Sequence, residues 1–142
     1  MNVAVILTRK GRDVVTTTPD TTMAAACELL ETKGIGAVVV SHGGDRVDGI
    51  FSERDFVRAI ARQGAAALDQ PVSEHMTSRV ETCGPDDSVA MLMRRMTDGK
   101  FRHMPVVESG RLVGIISIGD VVKERIAEAE AEASAMREYI TA

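Results

Sequence analysis

The feature that most constrains this fold is an internal repeat that fills most of the chain. Pro19 in the first copy aligns with Pro85 in the second at an offset of 66 residues, and Gly49 aligns with Gly114 at an offset of 65. The one-residue difference falls in a turn within residues 42–48, where insertions are best tolerated. Because repetition at a fixed spacing reflects repeated structure, we predict two copies of one small folding unit.

Each copy has the same order of predicted elements, β-α-β-β-α. A short strand rich in Val and Thr precedes a Pro-Asp pair, and a helix with one apolar face follows. Gly34 and Gly99 are placed to end these first helices in the left-handed conformation. Two strands joined by a tight turn then lead into a second helix. The predicted strands cover residues 14–18, 37–41, 47–52, 80–83, 104–107 and 112–117, and the second helices begin near Glu53 and Ile118.

One three-stranded sheet with both helices on the same side leaves its other face open, and about fifty residues make a marginal core. We therefore predict an α/β (α+β) fold in which the repeats pack sheet-to-sheet with pseudo-two-fold symmetry. Such packing leaves clefts between the repeats, where a ligand can bind. The predicted boundaries are 1–66 for repeat 1, 67–75 for a linker, 76–128 for repeat 2 and 129–142 for a C-terminal helix.

Composition excludes several classes of partner. A formal net charge of −4 and an aromatic content of 3% argue against binding of DNA or RNA. No apolar run approaches the roughly 20 residues of a membrane-spanning helix. Cys27 and Cys83 are far apart and fit no metal-binding spacing, which is typical of buried thiols in a reducing compartment. We expect a cytoplasmic protein without a metal site.

The motif Ser-x-x-Asp occurs at matched positions, as Ser52 to Asp55 and as Ser117 to Asp120. One interpretation is a helix capping box, in which the Ser oxygen and the acidic side chain bind backbone amides. The box prefers Glu or Gln as its acid, and the reach of Asp is shorter. The other interpretation is a ribose-phosphate site, because free amides at a helix start attract anions and a carboxylate can bind a sugar diol.

The chain resembles a tandem pair of cystathionine-beta-synthase (CBS) domains, also called a Bateman module. The resemblance rests on the Pro-Asp pair before each first helix and on three further segments, covering the chain from about Val3 to about Ile126. These segments are FRHMPVV at 101–107, LVGIISIGD at 112–120 and VSEHMT at 72–77.

The resemblance implies a regulatory module that binds an adenosyl ligand such as AMP, ADP, ATP, NAD or S-adenosylmethionine between the repeats. It implies no catalytic residues and no catalytic cofactor. By position it places the ribose at Ser52, Asp55, Ser117 and Asp120, the adenine at Gly36, Ala37, Val38, His103, Met104 and Pro105, and the border of the base at Thr16, Thr18 and Thr82. Cations suited to phosphate lie beside these motifs, at Arg54, Arg58, Lys100, Arg102 and His103. His103 equally fits a place on the strand surface.

The two copies depart from the family pattern in different ways. Val39 stands where the second copy has Pro105, and residues 3–8 lack the Met-Thr pair found at residues 76–77. The two sites need not be equivalent. Since the Pro-containing strand of the second copy fits the family better, its site is favoured for the nucleotide.

Three functions stay open at this level. The first is an energy or redox sensor that acts in trans on an unknown protein partner, and the second is a ligand-free structural dimerisation module. The third is a nucleotide hydrolase, against which the absence of an activated nucleophile or metal cluster counts. The C-terminal segment is predicted to be a helix with a narrow apolar stripe. This stripe forms either a homodimer contact or a contact with its own module. Its members are Ile126, Ala129, Ala133, Met136 and Ile140.

Overall fold

The computed structural model describes residues 1–141, and Ala142 at the end of the predicted C-terminal helix lies outside them. The helices are α1 Val3–Lys10, α2 Met23–Lys33, α3 Glu53–Gln63, α4 Val89–Gly99 and α5 Ile118–Thr141. The strands are β1 Thr16–Thr17, β2 Ala37–Val40, β3 Gly49–Ser52, β4 His103–Glu108 and β5 Arg111–Ser117. Two 3₁₀ turns, Gly64–Asp69 and Val72–Glu74, connect the repeats. This order confirms the predicted α/β class and the repeated unit.

Each repeat builds one small sheet. In the first repeat β1 lies parallel to β2, which pairs antiparallel with β3. In the second repeat β4 and β5 form an antiparallel hairpin, and Ser109 and Gly110 both take positive φ at its turn. The strand predicted over residues 80–83 is wrong as an extended element, because only Cys83 forms a parallel bridge, to Val106.

Left-handed residues end both first helices, but at different residue types. Gly34 caps α2 with φ 64 and ψ 39, as predicted. In the second repeat Gly99 is still helical, and Lys100 takes the left-handed position with φ 57 and ψ 40. The prediction for Gly99 is therefore wrong by one residue. Lys100 has a Cβ and yet adopts a backbone conformation that favours glycine.

The repeats have separate hydrophobic cores, and their sheets are covered on both faces. Val38 and Val40 of β2 belong to the first core, whereas their neighbours Ala37 and Val39 point to the other face and are also buried. Alternate residues of a strand face opposite ways, so the outer face of β2 is covered as well. This burial agrees with sheet-to-sheet packing of the repeats.

Each core is completed by a segment that precedes the other repeat. Helix α1 buries Val3, Ile6 and Leu7 in the core of repeat 2, and the connecting 3₁₀ turns bury Ala67 and Val72 in the core of repeat 1. The predicted boundaries describe the order along the chain, whereas packing places α1 with the second repeat.

Matched glycines make room for this exchange. A Cβ on Gly114 would stand 2.6 Å from Leu7 Cδ2, and a Cβ on Gly49 would stand 2.5 Å from Met76 Sδ. The two glycines that define the repeat offset are therefore the positions at which the exchanged segments cross β3 and β5.

Helix α5 extends beyond the body of the protein. Every residue from 129 to 141 is exposed, so this part of the helix does not fold back on its own module. None of the helices within residues 1–141 combines the length and apolar character needed to cross a membrane.

Candidate functional site

A cavity of about 860 Å³ lies between the two repeats. Most of its lining comes from three parts of the chain: the end of β3 with the start of α3, the segment 77–81 that follows the connecting turns, and the segment 99–103 between α4 and β4. Its volume is in the range of small-molecule sites. The lining residues are Gly36, Ile50, Ser52, Glu53, Arg54, Asp55, Val57, Arg58, Thr77, Arg79, Val80, Glu81, Gly99, Lys100, Phe101, Arg102 and His103.

The Ser-x-x-Asp motif at the cavity is a capping box. The carboxylate oxygen Oδ2 of Asp55 accepts a hydrogen bond from the Ser52 backbone N–H at 2.9 Å, and the Asp55 N–H donates to the Ser52 hydroxyl at 3.4 Å. Asp thus reaches far enough to close the box despite its shorter side chain, which supports the capping-box interpretation. The other carboxylate oxygen accepts from the Thr77 hydroxyl at 3.1 Å, so Asp55 is buried and held from two sides.

Five cationic side chains line the cavity against three acidic ones. The cations are Arg54, Arg58, Arg79, Lys100 and Arg102, and the acids are Glu53, Asp55 and Glu81. The Arg54 guanidinium donates to the carbonyl of Lys100, which links the two repeats across the cavity. Arg95 binds Glu81 from outside at 2.6 Å and offsets its charge. The wall is therefore positive and attracts anions.

His103 lines the cavity as a neutral group. Burial lowers the pKa of His103 below its ordinary 6.5, and the nearby carboxylate of Glu53 opposes this only in part. The imidazole lies against Gly36, where a Cβ would stand 3.2 Å from the ring carbon Cε1. His103 can offer a hydrogen bond to a ligand near neutral pH but adds no positive charge.

The structure brings about half of the predicted site residues to this cavity. Those that line it are Gly36, Ser52, Arg54, Asp55, Arg58, Lys100, Arg102 and His103. Those outside its lining are Thr16, Thr18, Ala37, Val38, Thr82, Met104, Pro105, Ser117 and Asp120. The side chains of Val38 and Met104 are fully buried in the two cores, which leaves them no surface for a ligand.

Arg79, Thr77 and Phe101 line the cavity and were missed at the sequence level. Arg79 follows the Met-Thr pair at residues 76–77 by two positions, and the repeat alignment sets it against Asp13. A charge reversal at a matched position was the available signal. Phe101 belongs to the segment FRHMPVV at residues 101–107, but it has no polar group that would mark it as a ligand-binding residue.

The second Ser-x-x-Asp motif lies in a different environment. Asp120 caps α5 by accepting from the Ser117 N–H at 2.8 Å, and it also accepts from Lys10 Nζ at 2.7 Å. Partial burial would raise the pKa of Asp120, but the hydrogen bonds from Lys10 and Ser117 outweigh it and hold the pKa below 3.8. The carboxylate is therefore ionised and paired with a cation of its own chain.

Comparison with known proteins identifies the fold in detail. The CBS domain matches twice, at residues 6–62 and 72–127. A crystal structure of a CBS-domain containing protein from Agrobacterium tumefaciens is 54% identical and superimposes with a TM-score of 0.86, covering 88% of this chain and 99% of that one. A CBS domain protein from Pyrobaculum aerophilum, solved in complex with AMP, is 28% identical with a TM-score of 0.74 and covers 84% and 89%.

Curated relatives agree with this result. The CBS domain-containing protein CBSX3, mitochondrial, from Arabidopsis thaliana is 34% identical over 87% of this chain and 62% of its own length. This chain spans a little over three fifths of the first curated relatives that it matches. Both repeats of the present structure are matched in sequence and in three dimensions, and the chain belongs to the CBS domain family as a tandem pair.

Proposed function

We propose that this CBS pair is a regulatory module that binds an adenine nucleotide in the cavity beside Asp55. The observation that carries the proposal is a cavity formed by both repeats with five cationic side chains on its wall. The AMP complex of the Pyrobaculum aerophilum relative supports an adenosyl ligand. The family match indicates no class of enzyme, and we propose no catalytic step.

The arrangement suits each part of a nucleotide. Phosphates face the guanidinium groups of Arg54, Arg79 and Arg102, which can bind phosphate oxygens in pairs. The ribose hydroxyls lie at Asp55, where they replace or share the hydrogen bond from Thr77. The surplus of cations favours a ligand with two or more phosphates, such as ATP, ADP or NAD, over AMP.

Isothermal titration of ATP into the wild type and into Arg79→Ala and Arg102→Ala tests the proposal. We expect each substitution to weaken binding about five- to tenfold, because a partly exposed charged hydrogen bond contributes about 1–1.4 kcal/mol. Arg94→Ala is the matched control, since Arg94 is exposed on α4 outside the cavity lining and should leave the affinity unchanged.

Two results would contradict the proposal. One is a wild type that neither binds ATP nor gains thermal stability from ATP, ADP, AMP or NAD at millimolar concentration. The other is equal ATP affinity in the wild type and both arginine variants.

The output of such a module is a change of shape read by another protein. Ligand binding between the repeats changes their relative position, so we propose an energy or redox sensor that acts in trans on a protein partner. A cytoplasmic location and a homodimer belong to the same proposal.

A ligand-free dimerisation module is the second candidate. It is favoured by the observation that both Ser-x-x-Asp motifs already cap helices and so need no ligand to explain them. The ATP titration separates the two candidates, because a purely architectural pair binds no nucleotide.

A further inference from the structure

We propose that the two clefts between the repeats are inequivalent, because Lys10 occupies the second one as an internal cation. The first cleft is the cavity at Asp55, and the second is the matched position at Asp120. The pair then takes one nucleotide per chain, at Asp55. The identity of that ligand rests on the proposed function, whereas the exclusion at Asp120 has its own test.

Lys10 is bound on two sides at the second cleft. Its Nζ donates to Asp120 Oδ2 at 2.7 Å and to the Ile115 carbonyl at 2.9 Å. The carboxylate oxygen that accepts from Lys10 is the one that also caps α5 through the Ser117 N–H. A sugar diol that binds this oxygen would have to displace an ammonium group from an ionised carboxylate, and charge-assisted hydrogen bonds are about twice as strong as neutral ones.

The helix that carries Lys10 is firmly attached. Val3, Ile6 and Leu7 of α1 are buried in the core of repeat 2. Arg9 adds hydrogen bonds of 2.9 and 2.8 Å to the two carboxylate oxygens of the buried Glu124 on α5. Lys10 is therefore delivered to Asp120 by a fixed element.

The first cleft has a neutral group at the corresponding place. By the repeat offset Lys10 aligns with Met76, and the next residue, Thr77, donates its hydroxyl to Asp55 at 3.1 Å. A sugar hydroxyl can exchange with the Thr77 hydroxyl at little cost, whereas displacing the ammonium breaks a charge-assisted hydrogen bond to Asp120. The partner that a ribose hydroxyl must replace is therefore a neutral hydroxyl at Asp55 and a cation at Asp120.

The cations are also distributed unequally. The repeat alignment sets three cations of the first cleft against residues without positive charge: Arg54 against Gly119, Arg79 against Asp13, and Lys100 against Gly34. Of the five, only Arg58 aligns with a cation, Lys123. The positions that match the lining also give the second cleft Lys33, opposite Gly99, so the second cleft has fewer matched cations than the first. We therefore place the phosphates in the first cleft, in contrast to the preference for the second copy drawn from its Pro-containing strand.

The test uses ATP and adenosine as probes on the full chain. Native mass spectrometry of the wild type should show one ATP per chain. In protein saturated with ATP, Lys10→Met should then bind one adenosine per chain at least tenfold more tightly than the wild type, and Lys10→Met with Asp120→Asn should lose this gain. Adenosine is chosen because the opened cleft has fewer matched cations for phosphate.

Arg9→Met is the matched control. It removes an ion pair between the same two helices, α1 and α5, but leaves Lys10 on Asp120, so it should bind no additional adenosine. Lys10→Arg keeps a cation at this place and should also leave the cleft closed.

Two ATP molecules per wild-type chain, or no gain of adenosine binding in a folded Lys10→Met protein, would overturn the inference. If the wild type binds no ATP but Lys10→Met gains one adenosine, the proposed function fails and the exclusion by Lys10 stands.

Discussion

Lys100 shows how one side chain couples backbone strain to the site. It is one of two described residues other than glycine with positive φ, and it lines the cavity, whereas its counterpart in the first repeat is Gly34. A left-handed conformation costs a residue with a Cβ about 1–2 kcal/mol. Such strain is concentrated at functional sites, where the surrounding structure maintains it. Lys100 therefore keeps a cation at the cavity at a cost in stability.

Replacing Lys100 with Gly should separate stability from binding. We expect Lys100→Gly to raise the free energy of unfolding by about 1 kcal/mol, because the strain is relieved, while ATP binding weakens about fivefold with the loss of one cation. Urea denaturation and titration calorimetry measure the two effects. Ser109→Gly is the control, since Ser109 also has positive φ but lies in the β4–β5 turn outside the cavity lining. A Lys100→Gly protein with unchanged ATP affinity would remove Lys100 from the site.

Cys83 differs from Lys100 in that its side chain is buried and chemically unreactive. Burial raises the pKa of the Cys83 thiol to about 12, and the charge of Asp87 adds to the effect. A thiol in this state is protonated at neutral pH and is a poor nucleophile. Cys83 therefore serves as a small apolar side chain in the core of repeat 2.

At the scale of elements, the exchange of leading segments explains why two marginal units fold as one. Each sheet alone offers too little core, and each receives apolar side chains from the segment that leads into the other repeat. Helix α1 packs on β5 and α5, more than a hundred residues away in sequence. The repeats are thereby coupled through the covalent chain as well as through their sheets.

The contact between Leu7 and Gly114 tests this exchange. We expect Gly114→Ala to lower the free energy of unfolding by about 1–3 kcal/mol, because its Cβ would overlap Leu7 Cδ2. In a Leu7→Ala background the same substitution should cost much less, since the overlapping methyl group is gone. Urea denaturation of the four proteins measures this coupling. Gly43→Ala, with open space around its Cβ, is the control. Equal costs of Gly114→Ala in both backgrounds would contradict the packing of α1 on β5.

At the scale of the whole molecule, the end of α5 has no counterpart in the first repeat, where α3 ends at Gln63. Ile126, Met136 and Ile140 are exposed by 53%, 62% and 76%. Together with Ala129 and Ala133 they form one stripe of the helix with spacings of three and four residues, which is the pattern of a coiled-coil seam. Glu130 and Arg137 flank the stripe, so that an antiparallel second copy can pair opposite charges across it. We therefore propose a homodimer that buries this stripe.

Sedimentation velocity at tens of micromolar protein tests the dimer. The wild type should sediment as two chains and Met136→Lys with Ile140→Lys as one, because buried lysines cannot pair with an apolar stripe. Ala131→Lys, on the opposite side of the same helix, should leave the dimer intact. A wild type that sediments as a single chain would contradict this contact.

The parts of the structure that depend on neighbouring residues could be predicted from the amino-acid sequence. The repeat, the order of elements, the left-handed Gly34, the Ser-Gly turn and the Ser-x-x-Asp helix starts all follow from signals within a few positions. The family resemblance added the cleft and about half of the residues that line the cavity at Asp55.

The partner that each of the two aspartates meets depends on contacts between distant parts of the chain. Lys10 and Asp120 are 110 residues apart, and no local pattern joins them. Arg79 reaches the cavity because the connecting segment crosses back over repeat 1, where Thr77 pairs with Ile50. Of the strand predicted over residues 80–83, only Cys83 pairs, with Val106 of β4. Duplication made the two halves alike in local sequence. Packing made them different, because the chain can place Lys10 beside only one of the two aspartates.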